Sequence, residues 1–215
     1  VLGVVSVGRD EGRRPFQPAD LELLEELARR SALAVDNGML YRDVERGEQR
    51  QAALARLGAR ALAGDPLPAL LEQAAELLVR TMDADFSELL ELEPNGRRLR
   101  LVAGVGWRRG RVGSTTVGVG KGSQGGYTLA TVGPVVVGDL AEETRFRPSK
   151  LLMEHGVRSG LTVVVGTSPV WGAIGAFSRR THHFAEDDIN FVQALGNTLA
   201  SAIERKNAED VLARV

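Results

Sequence analysis

The sequence contains no cysteine and only three histidines among its 215 residues. Without thiols it can form no disulfide, no cysteine-ligated zinc site and no thioether bond to a chromophore, and thiol catalysis is excluded. Three histidines without a supporting cluster of acids make no credible metal site. Freedom from cysteine is typical of proteins in the reducing cytoplasm, which is where we expect this chain to function.

Long apolar runs and an excess of charge of one sign are also lacking. No apolar run approaches the length that crosses a bilayer, so we expect no direct membrane insertion. The formal net charge of -1 argues against general binding to nucleic acid or to a membrane surface. An arginine-rich stretch at residues 97–111 could offer an anion or nucleic-acid surface, but acids elsewhere balance it. We interpret it as a solvated loop and expect no nucleic-acid partner.

What the sequence does contain is a repeat of about twenty residues. Residues 184–205, FAEDDINFVQALGNTLASAIER, align without a gap to residues 16–37, FQPADLELLEELARRSALAVDN. Both copies carry apolar residues at steps of three and four, which predicts an amphipathic helix with an acidic start. Residues 2–6 likewise match residues 174–178, which predicts a strand before each helix. The repeat therefore indicates two copies of one domain ending.

The repeat divides the chain into regions. Residues 1–8 predict a buried strand, and a helix begins near Pro18, which suits a first helical turn. Asn37-Gly38 is predicted to interrupt this helix before it resumes. Because the chain begins with valine inside a predicted strand, we expect residues 1–46 to be the end of a truncated first domain and the chain to be a fragment.

A helical connector is predicted at residues 38–62. Heptad spacing relates seven of its positions: Leu40, Val44, Gly47, Gln51, Leu54, Gly58 and Ala61. Two interpretations remain open, a solvated connector helix and a parallel coiled coil between two subunits. A connector of either kind can transmit rotation or register between domains.

The remaining sequence predicts a mixed domain. A helix begins at Asp65-Pro66, and strands at residues 84–93 and 97–104 are joined by the turn Pro94-Asn95-Gly96. A glycine-rich loop with short helices follows, and then a second hairpin at residues 158–166 and 170–178. Sequential hairpins flanked by helices predict an antiparallel α+β fold.

Three phrases resemble a GAF domain, a small-molecule sensing module of bacterial signalling proteins. They are VGPVVVGDLAEETRF at residues 132–146, HGVRSGLTVVV at residues 155–165 and GAIGAFSRRTHHFAEDDINFVQALGNTLASAIER at residues 172–205. The resemblance implies a GAF domain at residues 51–206, and residues 207–215 would begin a helical linker to a missing output domain. It implies an antiparallel sheet of five to six strands, with the terminal helices bundled on one face and short helices and loops over the other. It also implies homodimerisation through the connector and terminal helices.

The resemblance also places a small-molecule pocket between the sheet and the loops. Ten residues would line it: Trp107, Gly120, Lys121, Gln124, Tyr127, Phe146, Leu152, His155, Ser159 and Leu161. The phrase GKGSQGGY at residues 120–127 could hold an anionic group through backbone N–H groups and Lys121. A glycine-rich turn with positive φ angles is the plainer alternative, and the spacing is not that of a phosphate-binding P-loop.

The cofactor is unknown from the sequence. His155 could ligate haem iron, but a lone histidine at a helix end is more often structural, so we expect no haem. Covalent bilin attachment and the reductase chemistry found on this fold both require cysteine, which is absent. The motif of cyclic-nucleotide-binding members is only faintly echoed near Phe184.

Three functions remain from this reading. The leading hypothesis is a non-catalytic sensory and dimerisation module that controls an output domain in the same chain, of histidine kinase, diguanylate cyclase or phosphatase type. The second is a ligand-free structural spacer in a tandem array. The third, an enzyme acting from this chain, lacks support because no nucleophile, base and orienting group occur as a set.

Overall fold

The computed structural model describes residues 3–10, 12, 14–131 and 133–212. The chain separates into two units, Val1–Gln51 and Ala52–Val215. The first helix, α1 (Pro18–Leu62), contributes residues to both. Among the described residues, no helix combines the length and the hydropathy of a membrane-spanning segment.

The first unit consists of an extended segment and most of α1. Residues 3–8 are exposed and form no strand, so the prediction of a buried strand is wrong for these positions; Val1 and Leu2 lie outside the described residues. No strand among the described residues pairs with this backbone, and water can satisfy its polar groups. The start of α1 is capped by the Asp20 carboxylate, which accepts a hydrogen bond from the Gln17 N–H at 2.9 Å. Asn37-Gly38 does not interrupt the helix, which runs unbroken for 45 residues.

The second unit is built on one antiparallel sheet of six strands in the order β3-β2-β1-β6-β5-β4. Its strands have these bounds: β1 Phe86–Leu92, β2 Arg98–Val105, β3 Thr116–Gly118, β4 Val135–Val137, β5 Ser159–Val165 and β6 Gly172–Ser178. The central strands β1 and β6 pair with each other from Phe86–Phe177 to Glu91–Gly172. The two long predicted hairpins are confirmed, and the fold is α+β as expected.

One face of the sheet, named here the helix face, is covered by α2 (Leu67–Met82) and α5 (Glu186–Leu212). The last turns of α1 join them, since Ala53, Leu57 and Ala61 are buried in the same cluster. Leu78, Leu195 and Leu199 are at most 1% exposed, and they pack on sheet residues such as Leu161 and Ile174. Burial of this apolar area is the main stabilising contribution to the fold.

The predicted heptad pattern of the connector is therefore divided. Ala61 is buried and Leu54 is partly buried against the helix-face core, so these positions contact the chain's own domain. Leu40 and Val44 are 59% and 61% exposed. A coiled coil between subunits therefore stays a prediction, with the exposed apolar positions in the first half of the heptad pattern, because Leu54 and Ala61 of its second half pack within the domain.

The opposite face, named here the loop face, is covered by α3 (Gln124–Ala130), α4 (Lys150–Glu154) and the loops around them. Thr162 and Thr128 connect the two layers, because their hydroxyl oxygens lie 3.2 Å apart between β5 and α3. Three aromatic rings of this layer pack together: Phe86 stacks on Trp107 at 4.7 Å, and Trp107 meets Phe177 edge to face at 6.3 Å. The loop face thus places short, irregular segments over the sheet.

Candidate ligand-binding face

The start of α3 is held by a loop that docks on a second loop. Ser123 is the N-cap, and its hydroxyl oxygen accepts a hydrogen bond from the Gly126 N–H at 3.1 Å. The backbone of Arg147 donates to the Gly122 carbonyl at 2.8 Å and accepts from the Gln124 N–H at 3.2 Å. A Cβ atom on Gly126 would lie 2.4 Å from the Gly120 carbonyl oxygen, so only glycine lets α3 sit this close to its loop.

Between these loops lies a cavity of about 890 Å³, named here the loop-face cavity. Its volume is within the range of small-molecule sites. Its lining holds four basic side chains and one acidic one: Arg111, Lys121, Arg147, Lys150 and Glu154. Since the chain as a whole has a net charge of -1, positive charge is concentrated at this position.

Only part of this positive charge is neutralised. The Glu154 carboxylate lies 2.6 Å from an Arg111 nitrogen and 3.6 Å from the Lys150 ammonium. Within the part of the chain that the structure describes, neither Lys121 nor Arg147 forms an ion pair. The cavity therefore keeps two cations without an acidic partner, which favours an anionic ligand.

Buried polar atoms without partners lie at the same place. Gln124, a lining residue, is 5% exposed, and its side-chain oxygen is itself buried without a hydrogen-bond partner. The hydroxyl oxygen of Thr115, another lining residue, is likewise buried and unpartnered. A buried polar atom without a partner lowers stability by about 1–3 kcal/mol, and native folds rarely retain one without a reason.

A further unpartnered group lies deeper on the loop face. Glu88 of β1 is 3% exposed and one carboxylate oxygen makes no hydrogen bond. Its cross-strand neighbours are Gly104 and Gly175, and Gly175 in turn pairs with Thr162, so all four positions share the loop face. Burial raises the pKa of the Glu88 carboxyl to about 8, because nothing nearby compensates the charge.

His155 is held at the rim of the aromatic cluster by two hydrogen bonds. The Arg108 N–H donates to Nε2 at 3.1 Å, so Nδ1 carries the proton and donates to the Leu151 carbonyl at 2.8 Å. The ring also lies 5.0 Å from Trp107, edge to face. Both ring nitrogens are engaged, which supports a structural role for His155. No group of three or more metal-ligating side chains occurs among the described residues.

Comparison with known proteins decides the family. The sequence profile of the GAF domain matches residues 66–203, more than half of the chain. The chain belongs to the GAF domain family. No curated protein matches the sequence significantly.

Solved structures agree with this fold at low sequence identity. The GAF domain of a phosphoenolpyruvate-protein phosphotransferase from Coxiella burnetii is 20% identical, with a TM-score of 0.67 over 75% of this chain and 96% of its own. Free methionine-R-sulfoxide reductase from Neisseria meningitidis, in complex with its substrate, is 19% identical, with a TM-score of 0.62 over 74% and 91%. The phycocyanobilin-bound GAF domain of a cyanobacterial phytochrome is 18% identical, with a TM-score of 0.61 over 74% and 96%. The same fold thus serves sensory, regulatory and catalytic proteins, and these likenesses establish the fold alone.

In this GAF domain the predicted pocket residues fall into separate groups. Lys121 and Gln124 line the loop-face cavity, and the exposed Gly120 belongs to its glycine-rich loop. Gln124, Phe146 and Leu152 border an internal cavity of only about 10 Å³, which is room for about one water molecule. Tyr127 packs on Phe146 with ring centroids 5.2 Å apart. Beneath α3, therefore, aromatic and apolar side chains fill the interior.

The prediction that Ser159 and Leu161 line the pocket is wrong, because both residues lie on the helix face. Leu161 belongs to the core beneath α2 and α5, and its cross-strand partner Ala176 does too. Ser159 lies on the same side of β5 and donates to the Arg180 carbonyl at 2.7 Å. Side chains alternate along a strand, so the prediction was one residue out of phase, and Gly160 and Thr162 border the loop-face interior instead.

The prediction also missed residues of the site. Arg147, Ser149 and Lys150 line the cavity because the bridge between Ser123 and Arg147 brings two distant loops together. No local sequence pattern predicts this contact between the two loops. Glu88 could have been found, because it directly precedes the apolar pair Leu89-Leu90 in the strand FSELLEL, and an acid is unexpected in a buried central strand.

Proposed function

We propose that this GAF domain is a non-catalytic sensory module that binds a small molecule in the loop-face cavity and controls an output domain of a bacterial signalling protein. The cavity carries the proposal, because it offers about 890 Å³ and, within the described chain, two cations without an acidic partner, Lys121 and Arg147. A ligand that satisfies these groups would bind one conformation of the loops better than another and shift their populations. The output domain would be a histidine kinase, diguanylate cyclase or phosphatase domain of the same protein.

The proposal includes dimerisation through α1. Large apolar side chains project into solvent along its first seven turns: Leu21, Leu23, Leu27, Leu33, Val35, Met39, Leu40, Tyr41 and Val44. Each is at least 42% exposed, and a monomer rarely leaves so many on one helix. A second copy of the same helix would bury them in a symmetric interface.

The dimer is tested by light scattering coupled to size exclusion. Leu27→Lys with Val35→Lys should yield a monomer that keeps the far-UV dichroism of the parent. Leu62→Lys is the matched control, because Leu62 is 79% exposed on the same helix but follows the buried Ala61. A parent chain that is already monomeric at high concentration would refute dimerisation without touching ligand binding.

A ligand-free spacer is the second candidate, and the filled interior favours it. Only about 10 Å³ remains beneath α3, where Phe146 and Leu152 pack. Calorimetric titration over a panel of neutral and charged metabolites separates the two functions. Saturable binding supports the sensor, whereas silence across the panel supports the spacer.

A further inference from the structure

Glu88 is a buried carboxyl group that the proposed ligand site does not use. It lies in the central strand β1, is 3% exposed, and one of its carboxylate oxygens makes no hydrogen bond. Its neighbours across the sheet are Gly104 and Gly175, which have no side chains that could bond to it. A central strand that only has to fold would carry an apolar residue at this position. The carboxyl group therefore needs an explanation of its own.

The helix α4 lies over this carboxyl group. On one side of Glu88 along β1, Leu90 packs in a cluster with Leu151 of α4. On the other side, Phe86 packs in a cluster with Leu152, the next residue of α4. Phe86, Glu88 and Leu90 share one face of the strand, because side chains alternate along it. A helix whose side chains share clusters with both neighbours of Glu88 covers Glu88 itself.

Side chains also fill the space on both sides of Glu88 across the sheet. A Cβ atom on Gly104 would lie 2.7 Å from the indole nitrogen of Trp107, so this ring occupies the space above Gly104. A Cβ atom on Gly175 would lie 2.6 Å from the Thr162 methyl group in the same way. The Trp107 indole N–H is not free to bond to the carboxyl group, because it donates to a backbone carbonyl of β1 at 2.6 Å. Glu88 is therefore flanked by an indole ring and a methyl group, neither of which compensates a negative charge.

Among the described residues, no charged group forms an ion pair with Glu88. The strands β5 and β6 contain no ionisable residue, and α3 contains only Tyr127. On α4, Lys150 lies 3.6 Å from Glu154, and both ring nitrogens of the following His155 bond to backbone. The neighbouring strand ends and the loop of Trp107 carry these further charges: Asp85, Glu91, Arg98, Arg100, Arg108, Arg109, Arg111 and Arg179. None of them offsets the effect of burial, which alone raises the pKa of the Glu88 carboxyl to about 8.

We propose that Glu88 is a proton-controlled switch beneath α4: the protonated carboxyl group lets α4 close on β1, and its ionisation moves α4 away so that water reaches the carboxylate. A helix of five residues is suited to this movement, because it is not stable by itself. The helix face, with the largest core cluster, stays folded. Lys150 and Leu151 of α4 line the loop-face cavity, so proton release also changes the shape of that cavity. The switch goes beyond the proposed ligand binding and does not depend on it.

The direction of the pH dependence follows from the pKa of the carboxyl group in the two states. In the closed state Glu88 keeps its proton up to about pH 8, whereas in the open, hydrated state it releases the proton near the ordinary value of 4.5. Opening therefore releases one proton between these values, and its equilibrium constant rises with pH by up to about tenfold per pH unit. The expected rise between pH 6 and pH 8 is about 50-fold.

Amide hydrogen exchange of the whole chain, resolved by mass spectrometry, measures this opening. Each exchange rate, divided by the rate of an unstructured peptide at the same pH, gives the opening constant of its segment. The constant for α4 should rise about 50-fold from pH 6 to pH 8 in the parent and in Glu76→Gln, which changes an exposed carboxylate of α2. It should change less than about 3-fold in Glu88→Gln and in Glu88→Leu, neither of which titrates. At pH 8, α5 should remain at least about 100-fold more protected than α4.

Three results would overturn the switch. An opening constant of α4 that does not change with pH in the parent would show that opening releases no proton. An equal rise in Glu88→Gln and in the parent would assign the proton to another group. Equal protection of α4 and α5 would show that the domain unfolds as one unit, without a separate opening of α4. None of these results concerns ligand binding, which the metabolite panel tests separately.

Discussion

The two faces of the sheet differ in how they treat polar groups. On the helix face, β1 places the hydroxyl of Ser87, which donates to the Ala75 carbonyl at 2.8 Å and accepts from the Val105 N–H at 3.2 Å. On the loop face, the next residue of the same strand is Glu88, and one of its buried oxygens has no partner. In the loops that cover this face, Gln124 and Thr115 also have buried side-chain oxygens without a hydrogen-bond partner.

This difference separates what stabilises the domain from what is free to bind. Among the described residues, the helix face leaves one buried side-chain atom without a hydrogen bond, the Nε of Arg205 on α5. It fills its volume with leucine, isoleucine and valine, as a core that only has to fold would do. In the same part of the chain, the loop face keeps three buried polar atoms without partners, which reduce stability, and two exposed cations without an acidic partner, with which an anionic ligand can pair. Local departures of this kind are expected at functional sites.

Truncating a leucine should show the largest effect and the clearest contrast between faces. Leu195 of α5 is fully buried in the helix-face core, so Leu195→Ala should lower the free energy of unfolding by about 4 kcal/mol. Leu152 of α4 is 1% exposed and borders the small internal cavity of the loop face, where α4 can shift inward. Leu152→Ala should therefore lose about 2 kcal/mol. Urea unfolding at neutral pH measures both, and equal losses would contradict the contrast.

Glu88→Gln should have the next largest effect, and it should be stabilising. Burial raises the pKa of the Glu88 carboxyl from 4.5 to about 8, so the folded chain holds a proton that the unfolded chain has released. The stability of the parent consequently falls as pH rises from about 4.5 to about 8, and glutamine does not titrate. Glu88→Gln should match the parent near pH 4.5 and exceed it by about 3 kcal/mol at pH 7.

Two variants control the experiment on Glu88. Glu76→Gln changes an exposed carboxylate on α2 and should alter stability by less than about 0.5 kcal/mol at any pH. Ser87→Ala removes a partnered hydroxyl from the neighbouring position and should destabilise by about 1–2 kcal/mol, the opposite sign. A Glu88→Gln gain that did not vary with pH would show that the carboxyl is not neutral in the folded state.

Sequence reasoning recovered the helix face well because its information is local. The stripe of Val192, Leu195 and Leu199 repeats at helical spacing, and the alternation of Arg98 and Arg100 with Leu99 and Leu101 marks a half-buried strand. These periods follow from backbone geometry alone. The unbroken α1 shows the limit of that reasoning, since neighbouring residues of high helix propensity override the single break at Asn37-Gly38.

The loop face was recovered only in part because it is assembled from distant segments. Lys121 and Gln124 carry a visible glycine-rich context, whereas Arg147 arrives through the pairing of two loops that no periodicity encodes. The prediction that Ser159 and Leu161 line the pocket was wrong for a different reason. The strand was predicted correctly, but β5 is buried on both faces, so its sequence has no alternation of exposed polar residues to show which side chains face the loops.

The smallest expected change in stability comes from α3, where Gln124 has an unpartnered side-chain oxygen and Thr128 has a partnered hydroxyl. Gln124→Leu removes the buried oxygen without a partner and should raise the free energy of unfolding by up to about 1 kcal/mol. Thr128, one helical turn later, has its hydroxyl 3.2 Å from that of Thr162. Thr128→Val breaks this contact and should lower stability by about 1 kcal/mol.

Thermal unfolding of the two α3 variants beside the parent measures both changes. The unfolding temperature of Gln124→Leu should lie at or above that of the parent, whereas that of Thr128→Val should lie below it, since the Thr128 hydroxyl bonds to the sheet. If both variants lose stability to the same degree, the Gln124 amide is an ordinary structural group, and the loop face differs from the helix face only in composition.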